Sequence, residues 1–280
     1  MGFDSINNEY REIWKKYLKD SSFGEDDKNN MHLYNWPLLY PPNKMIKNSI
    51  LFVGFNPASG DNEKELGNLR SSSGHPEKIL DDEGRAEKAI EYERKILSNK
   101  KSDSDLYKYY KVFPLIAKEV LGSEGRWNHM DLLPIRETKQ EKLIKDLRLD
   151  KTNLFDLSKL EYKSFINDLL SVFCKAVNIM APTTIVAVNG YVSRSLIKLG
   201  GTVYENVMNY ENGRDSKQGQ HEISCFKIKF DRFETDGVRT VVVENKKYPL
   251  LLSSMLTGQR ALDLGSRERL VWHLKRVIGH

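Results

Sequence analysis

Residues able to hold a water, move a proton or grip a flat ligand cluster at a few turns of this chain. Asn56 stands in Ile50-Leu51-Phe52-Val53-Gly54-Phe55-Asn56-Pro57-Ala58-Ser59-Gly60, behind four apolar residues, two of them β-branched. Such a run reads as a strand buried on both faces. Asn-Pro then forces an extended residue and a turn. A polar side chain held there lies at the carboxyl end of a sheet strand, where open α/β folds place their ligands. A second group is Arg126-Trp127-Asn128-His129-Met130-Asp131-Leu132-Leu133-Pro134. On a strand, Trp127, His129 and Asp131 point to one side, which offers an imidazole and a carboxyl for acid–base work. A third is Ser253-Ser254-Met255-Leu256-Thr257-Gly258 followed by Arg260. Each group also has a purely architectural reading. Asn-Pro is a common turn pair and Ser-Ser a common loop, and basic residues such as Arg267 and Arg269 ordinarily form a solvated helix face.

The elements that must position these residues follow from periodicity. Tyr10, Ile13, Trp14 and Leu18 give a helix over 7–19, with a polar loop over 21–30. Residues 32–42, with three prolines, are expected to be irregular and packed on the sheet. Helices are expected over 84–98 and 104–121, the second kinked at Pro114. Tyr109 and Tyr110 fall on that second helix at ordinary amphipathic spacing. Residues 126–134, a strand ending in a loop, are followed by a charged, partly helical stretch to Asp156 and a helix over 160–180. Thr184-Ile185-Val186-Ala187-Val188 is another two-sided strand, ending at Asn189-Gly190 and running into a helix over 191–199. Strands 226–230 and 238–243 come next, then a loop after Pro249 and a closing helix over 266–278. Two-sided strands alternating with helices predict one α/β domain, a three-layer α/β/α sandwich around a mostly parallel sheet.

Composition narrows the class. At 280 residues the chain can bury a sizeable core, and 30% charged residues mark a soluble globular protein. No apolar run reaches the roughly 20 residues that span a bilayer, and the first residues lack the basic and apolar regions of a signal peptide. A cytoplasmic monomer without a membrane partner is expected. The two cysteines, Cys174 and Cys225, read as small core residues, and no Cys/His spacing matches a zinc or iron–sulfur site. Neither a metal nor an organic cofactor is expected. A net charge of +5 and a pI of about 8.9 permit contact with a phosphate backbone without requiring it. No phosphate loop, dinucleotide fingerprint or serine elbow appears, which argues against nucleoside-triphosphate hydrolysis, nicotinamide redox chemistry and serine esterase action.

Gly54-Phe55-Asn56-Pro57 resembles the Gly-x-Asn-Pro first motif of the mismatch-specific and single-strand-selective branches of the uracil-DNA glycosylase superfamily. Ser253-Ser254-Met255-Leu256-Thr257-Gly258 with Arg260 is similar to the second motif, His/Asn-Pro-Ser-x-Leu-Ser. Asp131 stands where that family places an asparagine-like reader of the base edge, and the resemblance spans residues 30 to 278. It implies a single glycosylase-like domain over 1–280, with an N-terminal helix and loop over 1–30 and an insert over 61–104. The implied function is hydrolysis of the N-glycosidic bond of a damaged or modified DNA base, flipped into a pocket during DNA repair. Asn56 and Asp131 would be catalytic. Gly54, Phe55, Pro57, Tyr109, His129, Ser253 and Ser254 would line the base site, and Thr257 and Arg260 would contact DNA. Two departures stand out: Leu252 aligns with the family histidine, and Asp131 replaces a neutral amide. They favour, as the alternative, a catalytically lapsed nucleic-acid or nucleotide-binding module of the same fold.

Overall fold

The computed structural model describes residues 2–34, 37–57, 86–87, 89–91, 93–94, 109–122, 125–137, 139–149, 161–200, 226–227, 239–243, 246–256 and 262–279. The readings for Cys225, Thr257, Arg260, segment 203–224 and most of the 61–104 insert lie outside these residues. The described elements are α1 (Phe3–Lys19), α2 (Glu25–Asn30), β1 (Ile50–Gly54), α3 (Val112–Leu121), β2 (Trp127–Asp131), α4 (Gln140–Asp146), α5 (Lys163–Met180), β3 (Thr184–Ala187), α6 (Gly190–Gly200), β4 (Phe226–Lys227), β5 (Arg239–Val243), β6 (Lys246–Leu252) and α7 (Leu264–Ile278).

The strands form one sheet in the order β2-β1-β3-β6-β5-β4. The first four are parallel, and β5 and β4 complete the sheet antiparallel. Alternation along the strands supplies both faces. Leu51, Val53, Ile185, Ala187, Leu250 and Leu252 point toward α1, α4, α5 and α6, where Trp14 and Phe165 lie fully buried. Ile50, Phe52, Val186 and Leu251 point the other way, toward α3 and α7. The protein is therefore the expected α/β/α sandwich with a mostly parallel centre. Among the described residues no helix is long and apolar enough to cross a membrane.

Three local expectations are corrected. The prolines account for two of them. Pro114 does not kink a long helix, because α3 begins at Val112 and puts Pro114 in its first turn, where a missing N–H costs nothing. Tyr109 and Tyr110 accordingly sit in the turn before α3. Pro249 does not open a loop either: it lies inside β6, one residue ahead of the first parallel partner pair, Ile185 with Leu250. The third correction is Glu25–Asn30, expected as loop but helical, with Asp27 Oδ2 accepting from the Gly24 N–H at 3.1 Å.

The chain leaves β1 toward β2 with α3 on one face, and leaves β3 toward β6 with α6 on the other. The winding direction thus reverses between β1 and β3, the position at which such sheets open a crevice beyond their carboxyl ends.

Candidate functional site

Hydrogen bonds past the ends of the strands fix this rim. Leu132 N–H donates to Gly54 O and Leu133 N–H to Phe55 O, both at 2.9 Å, and Glu137 N–H donates to Pro57 O at 3.1 Å. Val188 N–H donates to Val53 O at 3.0 Å, and Ser253 N–H to Ala187 O at 2.9 Å. Asn56, Asp131, Asn189 and Ser253 therefore all stand at one edge of the sheet. Strands spaced about 4.8 Å apart put the ends of β2 and β6 about 14 Å from each other, so Asp131 and Ser253 share the rim without touching.

Asn56 is held by its nitrogen. Nδ2 lies 2.7 Å from Glu137 O, 3.1 Å from Pro57 O and 3.3 Å from Ile135 O, which fixes the amide plane. Its Oδ1 is buried and receives no hydrogen bond from the described residues. Phe55 turns to the opposite face, joins the α1–α5 core and tilts against Tyr191 with ring centroids 5.6 Å apart. Pro57 contributes its carbonyl to the β2 loop. Phe55 is thus buried in the core, whereas Pro57 is half-buried at the rim.

Gly54, His129, Asp131 and Tyr109 do come together. A Cβ on Gly54 would lie 2.2 Å from Asp131 Oδ1 and 2.9 Å from His129 Nε2, so only glycine lets those two groups cover β1 at this level. His129 Nε2 lies 3.9 Å from Asp131 Oδ1 and 3.4 Å from the Tyr109 hydroxyl. Phe113 stacks on the imidazole at 5.5 Å and 10°, and Tyr110 meets it edge-on at 5.2 Å. Asp131 is 3% exposed, and no donor among the described residues hydrogen-bonds its carboxyl. Burial pushes Asp131 up to about 8 and His129 down to about 3. The contact would be an ion pair only with a charged imidazole; with both groups desolvated, the neutral pair is the favoured state near pH 7.

Sequence reasoning missed Tyr40, whose hydroxyl accepts from the Asp131 N–H at 3.2 Å. It also missed Phe113 and the roles of Asn189 and Ser193. Asn189 Oδ1 caps α6 by accepting from the Tyr191 N–H at 2.7 Å, and Ser193 Oγ donates to Ser253 O at 3.0 Å. The Asn-Gly at the end of a predicted strand was the available signal for Asn189. Ser253 Oγ is buried with no partner among the described residues, whereas Ser254 is exposed. Leu252 closes β6 with its side chain in the α1–α5 core.

A separate cluster lies beside the Asn56 loop. The ligand atoms of His32, Glu137 and Asp146 lie within 4.8 Å of one another, a donor set that suits a cation. The Lys142 ammonium already occupies that charge, hydrogen-bonded to Glu137 and 3.6 Å from Asp146. No family model matches the chain, and no curated protein matches its sequence.

Proposed function

We propose that the protein hydrolyses the N-glycosidic bond of a damaged or modified base in DNA, taking the extruded nucleotide at the carboxyl edge of its sheet. The observation that carries this reading is the Asn56 amide. Its nitrogen is committed to backbone carbonyls, which leaves the oriented Oδ1 as an acceptor for a water hydrogen. Glycosidic cleavage develops a cation at the sugar and an anion on the departing base. A water facing such a cation needs orientation more than deprotonation, and a neutral amide provides that without adding charge. The Asp131 carboxyl, one strand away, supports a role at the base edge, and Tyr109 and Tyr110 bring aromatic surface beside it.

Single-turnover assays on oligonucleotides containing uracil or hypoxanthine test the proposal. Base release is expected from the wild-type protein, with a loss of about 10²-fold in Asn56→Ala from misplacing the water. Release no faster than that of Asn56→Ala would remove the reading. A second reading, base binding without turnover, is favoured by Leu252. The residue aligned with the family histidine points into the core and contributes no group to the rim. Preferential binding of the modified strand, weakened by salt and without release, would support that version.

A further inference from the structure

We infer that Asp131 reads the base as a neutral carboxylic acid, presenting one O–H donor and one carbonyl acceptor in the manner of a primary amide. The inference rests on the base-binding reading above and concerns what that site recognises. An ionised carboxylate accepts only, and would be repelled by the carbonyl oxygens of a lactam or imide edge. A carboxylic acid pairs with an adjacent N–H and C=O, the pattern that uracil and hypoxanthine share. The aspartate therefore need not change the class of base that an asparagine would accept at that position.

The surroundings of the carboxyl keep it protonated. It is buried, it receives no hydrogen bond from the described residues, and no Lys or Arg among them faces it. Among the described residues, the titratable groups around it are Tyr10 from α1, Tyr40 from the segment before β1, Tyr109 from the turn before α3 and His129 on its own strand, with Tyr110 packed against that imidazole. Burial pushes the phenols of Tyr10, Tyr40 and Tyr109 up, so they stay neutral, and His129 is boxed by Phe113, Tyr109 and Tyr110 in its uncharged form. Nothing in that ring stabilises a negative charge on Asp131, whose Oδ1 packs directly over the backbone of Gly54, 2.2 Å from where a Cβ on that residue would lie. Recognition should therefore fade as the acid ionises, with its midpoint at about pH 8.

The experiment compares binding of a strand carrying one 2′-fluoro-2′-deoxyuridine, whose fluorine slows cleavage, with the same strand carrying thymidine. Fluorescence anisotropy at pH 7 and pH 9 is read for wild type, Asp131→Asn and Asp131→Ala. Wild-type preference for the uracil strand should fall about tenfold between the two pH values. In Asp131→Asn the preference should no longer depend on Asp131 ionisation, and that variant also controls for titration of the base itself. Asp131→Ala should show little preference at either pH. A wild-type preference that tracks Asp131→Asn across pH, or an Asp131→Asn protein no better than Asp131→Ala, overturns the inference while leaving the base site standing. Absence of preference in every protein at both pH values removes the base site and the inference together. Infrared difference spectra add a readout independent of ligand. A carboxylic-acid C=O band present at pH 7, lost by pH 9 and missing from Asp131→Asn supports the neutral acid, and its absence at pH 7 overturns it.

Discussion

At Gly54 the absence of a side chain is what lets an imidazole and a carboxyl lie over the neighbouring strand. Gly54→Ala would drive a methyl into the Asp131 carboxyl and the His129 ring, at a cost of roughly 1–3 kcal/mol by overpacking. Chemical denaturation of Gly54→Ala and Asp131→Ala, alone and combined, should show the two changes coupled, the alanine at 54 costing less once the carboxyl is gone. Asp131 itself has a pH signature. The unfolded carboxyl ionises near its ordinary value of 3.8, whereas the folded one holds its proton to about 8. Between those values the unfolded state binds fewer protons, so stability falls as pH rises through the window and levels off above it. Thermal melts should therefore show Asp131→Asn gaining on wild type from pH 4 to pH 8, with no such gain below pH 4. A constant offset across that range would mean that the carboxyl is not desolvated. The chain alone placed Asn56 and Asp131 at strand ends and His129 on the side of Asp131. It could not reveal that Gly54 lies beneath them, because strand register is set by tertiary packing and leaves no mark on either segment alone.

Elements were legible where one period dominated. The two-sided runs of β1 and β3, the helix expected over 160–180 and the closing helix all appear where periodicity puts them. Reading failed at proline, whose cost depends on where its missing N–H would have pointed. Pro114 falls in a first turn and Pro249 at the start of a ladder, both positions where that group is dispensable. It failed again at Glu25–Asn30, too short for a period to show. The β3–α6 junction is legible in both respects, a strand stopped by Asn189-Gly190 and a helix started there. Asn189→Ala removes the cap on the Tyr191 N–H and the bond from Nδ2 to Gln140 Oε1 at 3.1 Å. It should cost about 1 kcal/mol. Ser193, in the first turn of α6, holds the Ser253 carbonyl, so hydrogen exchange at Ser253 should quicken in that variant. Exchange confined to α6 would show that the cap does not reach the rim.

Across the whole molecule, the N-terminal helix is tied to the far edge of the sheet through a short chain of polar contacts. Ile6, Tyr10, Trp14 and Tyr17 bury α1 against the core, and Asn7 uses the same docking to clamp a backbone. Its Nδ2 donates to Tyr40 O at 2.7 Å, and its Oδ1 accepts from the Tyr40 N–H at 2.8 Å. Tyr40 in turn covers the outer side of β2, the edge strand, with its hydroxyl on the Asp131 N–H. Segment 37–40 continues that cover, through Leu38 N–H to Pro134 O at 2.8 Å and the Pro37–Ile135 bridge, so the edge is shielded where the site lies. Neither half of this clamp is visible in sequence, since residues 7, 40 and 131 share no spacing rule. Asn7→Ala leaves a buried N–H and a buried C=O without partners, which should cost roughly 2 kcal/mol or more. The loss should also be felt at a distance: Asp131 amide exchange should accelerate more than that of Val53, which lies on the interior strand β1. Asn7→Asp keeps the acceptor for Tyr40 and loses the donor, so it should fall between the two. Equal acceleration at both amides would reduce the clamp to a general contribution to stability. A selective effect would make the packing of α1 a determinant of how firmly the Asp131 carboxyl is held.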